Sequence, residues 1–197
     1  MSDRLTPPLD DSVDLRTVVG ACHEYLAQLL DWHQQAVVER DAGLAAGFWQ
    51  LHRAMLRLHV ELEDAHLLAA HAQAALQPTW ATAVYLAEHR KLLAMADAIG
   101  VEIAGCGGRV LQRREVIAVL DRQRSFKNLI EHHEDREEKG LLPELAACLP
   151  VSVSEALTAR CRQRWSPMIA AQRQQLAGLL ERLDRYPAGG RGPVAPG

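Results

Sequence analysis

Apolar side chains return every three or four positions along the first 150 residues, the spacing of a single buried stripe on an α-helix. Leu15, Val18, Cys22, Leu26, Leu29, Leu30, His33 and Val37 predict a first helix from near residue 11 or 12 to about residue 40. Gly43 and Gly47 loosen the next turn. Phe48, Leu51, Met55, His59, Leu62, Glu63 and His66 then line a second helix ending near residue 76, before Pro78. Ala81, Tyr85, His89, Leu92, Ala96 and Ile99 share one side of a third helix over 79–100, followed by a flexible connection at Gly105, Gly107 and Gly108. The fourth turns Val116, Leu120, Gln123, Phe126, Ile130, His133 and Glu137 inward and frays at Gly140 and Pro143. Four amphipathic helices with short loops predict an all-α fold, an antiparallel up-down four-helix bundle.

Beyond Pro150 a further helical segment is expected to about residue 185. Ser152 and Glu155 suit a capping box at its start, and Ser166-Pro167 interrupts it by capping a new segment. After position 150, seven arginines stand against three acidic residues in a chain whose net charge is −3, so this segment and the rest carry opposite signs and are expected to pair. The chain thus divides into a flexible start over 1–11, the bundle over 12–150, a C-terminal helical extension over 151–186 and a Pro- and Gly-rich tail over 187–197 expected to be disordered.

Composition agrees with helix: Ala, Leu, Gln, Glu and Arg dominate, while aromatic residues are only 5%. The small net charge gives no general attraction to nucleic acid or to an anionic membrane. The basic C-terminal helix lacks aromatic interleaving, which favours a packing element, or the contact of a homodimer or partner, over a nucleic-acid reader. Cys22, Cys106, Cys148 and Cys161 form no CxxC pair, so neither a zinc knuckle nor a disulfide framework is expected. A polar N-terminus without an apolar signal core, and no run near the ~20 apolar residues of a membrane span, predict a cytoplasmic protein.

The chemistry sits in a phrase written twice: His59-x3-Glu63-Asp64 followed by Leu67-Leu68, and His133-x3-Glu137-Glu138 followed by Leu141-Leu142-Pro143. Residues four apart on a helix differ by about 40° in azimuth and ~6 Å in height, so each His and its Glu point the same way. His33 and His89 place one further imidazole on each remaining inner stripe. His23 is the alternative on the first helix; it lies ten residues before His33, about 80° away in azimuth, and both periodicity and a distance to His59 suited to two antiparallel helices with a short turn favour His33. Burying four imidazoles and two carboxylates unpartnered would cost several kcal/mol each, whereas a cation compensates the charge and uses the lone pairs. Mixed imidazole and carboxylate donors suit iron, with zinc and manganese behind it. Two iron ions, bridged by Glu63, Glu137 and a solvent-derived oxo or hydroxo group, would each keep an open position for a small ligand. The HExxH motif is absent, and a ferritin-like Glu-x-x-His occurs once, at Glu63-Asp-Ala-His66.

With Glu88-His89 on the third helix, these motifs resemble the hemerythrin-like HHE cation-binding family over about residues 12–148. The resemblance implies an antiparallel four-helix bundle with a non-heme di-iron centre, His33, His59, His89 and His133 as terminal ligands and Glu63 and Glu137 as bridges. It further implies a protein that binds O2, NO or peroxide in stress response or sensing, more a binder than a dedicated enzyme. Alternatives at the same centre are peroxide or NO reduction and iron donation in iron-sulfur cluster repair; a metal-free helical interaction module is the third. Oxygen carriers of the family have a second His one turn away on the third helix, where this chain has Tyr85 and Leu93. Tyr85 is either core, a hydrogen-bond donor near the centre, or a phenolate ligand. His52 and His66, seven residues either side of His59, either orient ligands and line an access path or fill the bundle ends. His71 and His132 are expected at the surface, and the four tryptophans are expected to be packing anchors.

Overall fold

The computed structural model describes residues 13–74 and 77–186. The expectations for 1–11, for 187–197 and for a helix end near 76 lie outside the described residues. All regular structure among those described is helical. α1 (Leu15–Val38) starts where the Asp14 carboxylate accepts from the Thr17 amide at 2.8 Å, later than the apolar pattern suggested. α2 (Ala42–Leu62) is capped in the same way by Asp41 through the Leu44 amide. It continues through a π-turn (Glu63–Leu67) into α3 (Leu68–Gln73). α4 (Thr82–Gly105) runs past Gly100, where a Cβ would meet Arg53 Nη1 at 3.1 Å and Trp49 Nε1 at 3.3 Å. Gly100 therefore admits α2 at close range and does not end the helix. α5 (Arg113–Arg136) likewise passes through a π-turn (Glu137–Leu141) into α6 (Leu142–Cys148).

α1 packs on α2 and α5, and α4 packs on the same two helices, closing a ring. Neighbours in the ring run antiparallel, as cross-helix pairs show. Cys22 meets His59 while His33 meets Ala45, and His23 meets Glu137 while His33 meets Gln123. On the other side Asp64 meets His89 while Arg57 meets Asp97, and Glu88 meets Arg136 while Glu102 meets Arg122. Val18, Leu26, Leu29, Phe48, Trp49, Met55 and Phe126 fill the interior. The α1–α2 turn carries Arg40 at φ 66°, and the Leu111 amide donates to the Arg40 carbonyl at 2.8 Å, which ties it to the α4–α5 loop.

α7 (Val151–Leu183) lies across α1 and α2 as one helix, not two. Pro167 sits inside it; the cost of about 3 kcal/mol is offset by the buried face formed by Cys161, Trp165, Ile169, Leu176 and Leu179. The expected Ser152–Glu155 capping box does not form, because the helix already begins at Val151 behind Pro150. Gly47, expected to loosen a turn, instead lies within α2, where a Cβ would strike Leu179 at 2.6 Å. It is a docking point for α7. Gln172 accepts from the Tyr25 hydroxyl at 2.9 Å and donates to the Leu51 carbonyl at 3.1 Å, while Arg164–Glu61 and Arg182–Asp41 pair across the surface at 3.2 Å. The exposed pairs add little stability but follow the charge asymmetry of the sequence. No helix among the described residues is long and apolar enough to cross a membrane.

Candidate metal centre

Six buried side chains meet in the middle of the helical ring: His23 from α1, His59 and Glu63 from α2 and its π-turn, His89 from α4, and His133 and Glu137 from α5 and its π-turn. His59 Nε2 lies 3.1 Å from Glu63 Oε2, and His133 Nε2 lies 3.1 Å from Glu137 Oε1. Each His-x3-Glu phrase therefore delivers its two donors to one point, as helix geometry requires. His23 Nε2 is 3.2 Å from Glu137 Oε2, and His89 Nε2 is 3.4 Å from Glu63 Oε2. The donors form two sets, His23, His59, Glu63 and Glu137 on one side and Glu63, His89, His133 and Glu137 on the other, each with its ligand atoms within 4.8 Å of one another. The two carboxylates belong to both sets.

The arrangement suits cations better than it suits itself. All four oxygens of Glu63 and Glu137 and both nitrogens of His23 are buried without a hydrogen bond. Their close N···O approaches are not aligned for hydrogen bonding, so the lone pairs converge on space between the side chains. His89 and His133 sharpen this point. Their Nδ1 atoms face the Asp64 and Glu88 carboxylates at 2.6 Å and 3.0 Å, which fixes the ring protons there, yet their Nε2 atoms face each other at 2.9 Å. Two opposed lone pairs at that distance repel unless a proton or a metal ion lies between them.

Without a metal, protons take up the imbalance. Burial lowers the His23, His89 and His133 values, but the surrounding carboxylates outweigh it and lift them to about 9, 11 and 9. His59 falls well below the usual range through burial and the neighbouring His23. Burial and the Glu137 charge raise Glu63 to about 7, while the surrounding imidazoles overcome burial at Glu137 and hold it well below the usual range. A dry cluster with this demand for positive charge is a strong candidate for a metal site.

Of the six residues expected at the centre, the structure brings together His59, Glu63, His89, His133 and Glu137; His33 is not among them, and His23 stands in its place. His33 Nδ1 donates to the Ala45 carbonyl at 2.8 Å, its Nε2 accepts from Gln123 at 2.8 Å, and burial lowers its pKa to about 4. It is a satisfied core histidine. Register explains the correction. With the chain reversing near residue 40, the level of His59 on α2 is met by α1 near residue 21, whereas His33 lies ~18 Å further along at 1.5 Å per residue. The expectation that the His33–His59 distance suits a short turn fails, because the turn at 39–41 sets His33 level with Ala45 and not with His59.

The π-turns account for the other shifts. An extra residue in the turn rotates everything after it by about 100° relative to α-helical register. His71, expected at the surface, therefore swings inward: it is buried, with Nδ1 on Thr82 Oγ1 at 2.8 Å and Nε2 on Glu144 at 2.9 Å. His66, inside the turn, leaves the face of His59 and lies 3.3 Å from Arg160 on α7. His52 keeps its inward position, stacked on Trp49 at 5.0 Å and edge-on to Phe126, with no hydrogen bond at either nitrogen. The Tyr85 hydroxyl donates to the Arg136 carbonyl at 3.4 Å, and its ring stands edge-on to His133; burial raises its pKa to about 12, which keeps the phenol neutral. His132 is exposed as expected. Trp49 and Trp165 are core anchors, the latter tilted against the His59 ring. No family model matches this chain, and neither a curated protein nor a solved structure matches it.

Proposed function

We propose that the chain is a hemerythrin-like di-iron protein, an antiparallel four-helix bundle with α7 laid across it, that binds dioxygen, nitric oxide or peroxide in sensing or stress response. The observation that carries this reading is the pair of four-donor sets sharing Glu63 and Glu137 in a dry core. In it, Glu63 and Glu137 would be shared by the two ions, His23 and His59 would hold one, and His89 and His133 would hold the other. Iron bound there supplies redox chemistry and open coordination positions for a small ligand.

The protein supplies burial and room. A cavity of about 250 Å³ between α1 and α5 is lined by Leu26, Ala27, Leu30, His52, Ile130 and Glu134 among others. Ala27 is one turn from His23 and Glu134 adjoins His133, so the cavity supports access for a small molecule to that flank of the cluster. Because α4 offers the single imidazole of His89, flanked one turn away by Tyr85 and Leu93, oxygen carriage is not part of the proposal.

Anaerobic reconstitution of the full chain with ferrous iron, followed by metal analysis and an optical spectrum after oxidation, tests the reading. About two irons per chain and near-ultraviolet bands are expected. Protein that stays iron-free contradicts it. Turnover of peroxide or nitric oxide by the loaded protein would move the assignment from ligand binder to enzyme.

A further inference from the structure

The chain neighbour of a cluster residue repeatedly turns to the imidazole on the next helix. Cys22, before His23, places its sulfur 3.6 Å from His59 Nδ1. Asp64, after Glu63, reaches His89 Nδ1 at 2.6 Å, and Glu88, before His89, reaches His133 Nδ1 at 3.0 Å. Arg136 in turn grips the Glu88 carboxylate with both Nε and Nη2. At the fourth corner Glu134, after His133, acts on His23 by its charge but makes no hydrogen bond to it, since His23 Nδ1 has no hydrogen-bond partner.

The backing is therefore split between the two donor sets. His89 and His133, in one set, both have carboxylates hydrogen-bonded behind them; in the other, His59 has a thiol, and His23 has the charge of Glu134 nearby but no hydrogen bond at Nδ1. A carboxylate on Nδ1 fixes the ring's tautomer and orientation and makes Nε2 a better donor to a cation. Thiol sulfur is a weak acceptor and does this poorly. An unpartnered buried N–H does not do it at all and adds its own desolvation penalty.

We propose that the two cation positions are unequal, that the one held by His89 and His133 fills first and more tightly, and that Asp64 and Glu88 are the positioning residues responsible. This rests on the two-metal reading above. Titration of the metal-free full chain with Zn2+ in a calorimeter separates the two claims, because zinc reports affinity without redox chemistry. The wild type is expected to bind in two steps, the first at least about tenfold tighter. Asp64→Asn and Glu88→Gln should each weaken the first step by about 10–100-fold and change the second by less than about threefold. Should Glu88→Gln not fold, Arg136→Gln, which frees the Glu88 carboxylate, is expected to weaken the same step by a smaller factor. Two equal steps in the wild type, or equal weakening of both steps in the variants, would overturn the inference. No zinc binding at all would overturn the metal reading itself.

Discussion

The core holds buried histidines at two levels, equally dry and differently furnished. At one, His33 has both nitrogens saturated by the Ala45 carbonyl and Gln123, while His52, stacked beside it on Trp49, has neither nitrogen hydrogen-bonded and no carboxylate acting on it. At the other, His23, His59, His89 and His133 surround two carboxylates whose oxygens make no hydrogen bonds. Burial does not separate the levels; buried carboxylates do. Where none faces the ring, burial keeps an imidazole neutral, and it belongs to the core. Where acceptors and lone pairs outnumber protons, the protein is built to take up positive charge.

The contrast breaks most visibly at the carboxylates. Glu63→Gln combined with Glu137→Gln removes the groups common to both sets, and iron content after reconstitution is expected to fall from about two per chain to near zero, while the helical circular dichroism signal persists. Iron retention near two would show that the carboxylates do not bridge. At the satisfied level, His33→Ala leaves a carbonyl and an amide unpaired around a small cavity. Urea unfolding of the metal-free protein should show a loss of about 2–4 kcal/mol.

Gly140 tests the packing beside the level that holds Glu63 and Glu137, where Tyr85 stands against His133. A Cβ there would lie 2.7 Å from the Trp80 ring and 3.0 Å from the Tyr85 hydroxyl, so Gly140→Ala is expected to cost about 1–3 kcal/mol by thermal or urea melts. An unchanged stability would mean that the second π-turn adjusts freely.

An effect visible only as a pH slope concerns His52, whose pKa burial depresses to about 3. The unfolded imidazole takes a proton near pH 6.5 and the folded one does not, so this contribution is complete above pH 6.5 and is lost as pH falls toward 3. His52→Phe keeps the ring stack and has the neighbouring cavity to expand into. Between pH 6 and 4 the variant should lose stability more slowly than the wild type, by about 1.4 kcal/mol per pH unit. Parallel pH dependences would show that folded His52 takes up a proton as readily as the unfolded chain does.

Much of the helical organisation is legible in the sequence because it is local. The twin His-x3-Glu phrases needed only the α-helical repeat to place their donors on one face, and the structure keeps both together. The first-helix histidine is different, because His23 and His33, about 80° apart in azimuth, both fall on the broad buried face of α1, and their height relative to His59 decides between them. That height depends on a turn at residues 39–41, a non-local quantity that periodicity does not carry. The π-turns add a second obstacle. They rotate the helix after Glu63, which is why His71 is buried and His66 turns aside, and nothing in the α-helical period announces them. Pro167 failed as a break because apolar residues on both sides of it pack onto the same surface.

The two levels are separated most directly by measuring iron in parallel preparations of His23→Ala and His33→Ala, each reconstituted anaerobically and checked for folded secondary structure. The structure predicts that His23→Ala loses at least half of its iron while His33→Ala keeps about two per chain and is merely less stable. Full iron in His23→Ala with depleted iron in His33→Ala would contradict the account and move the centre to the other level.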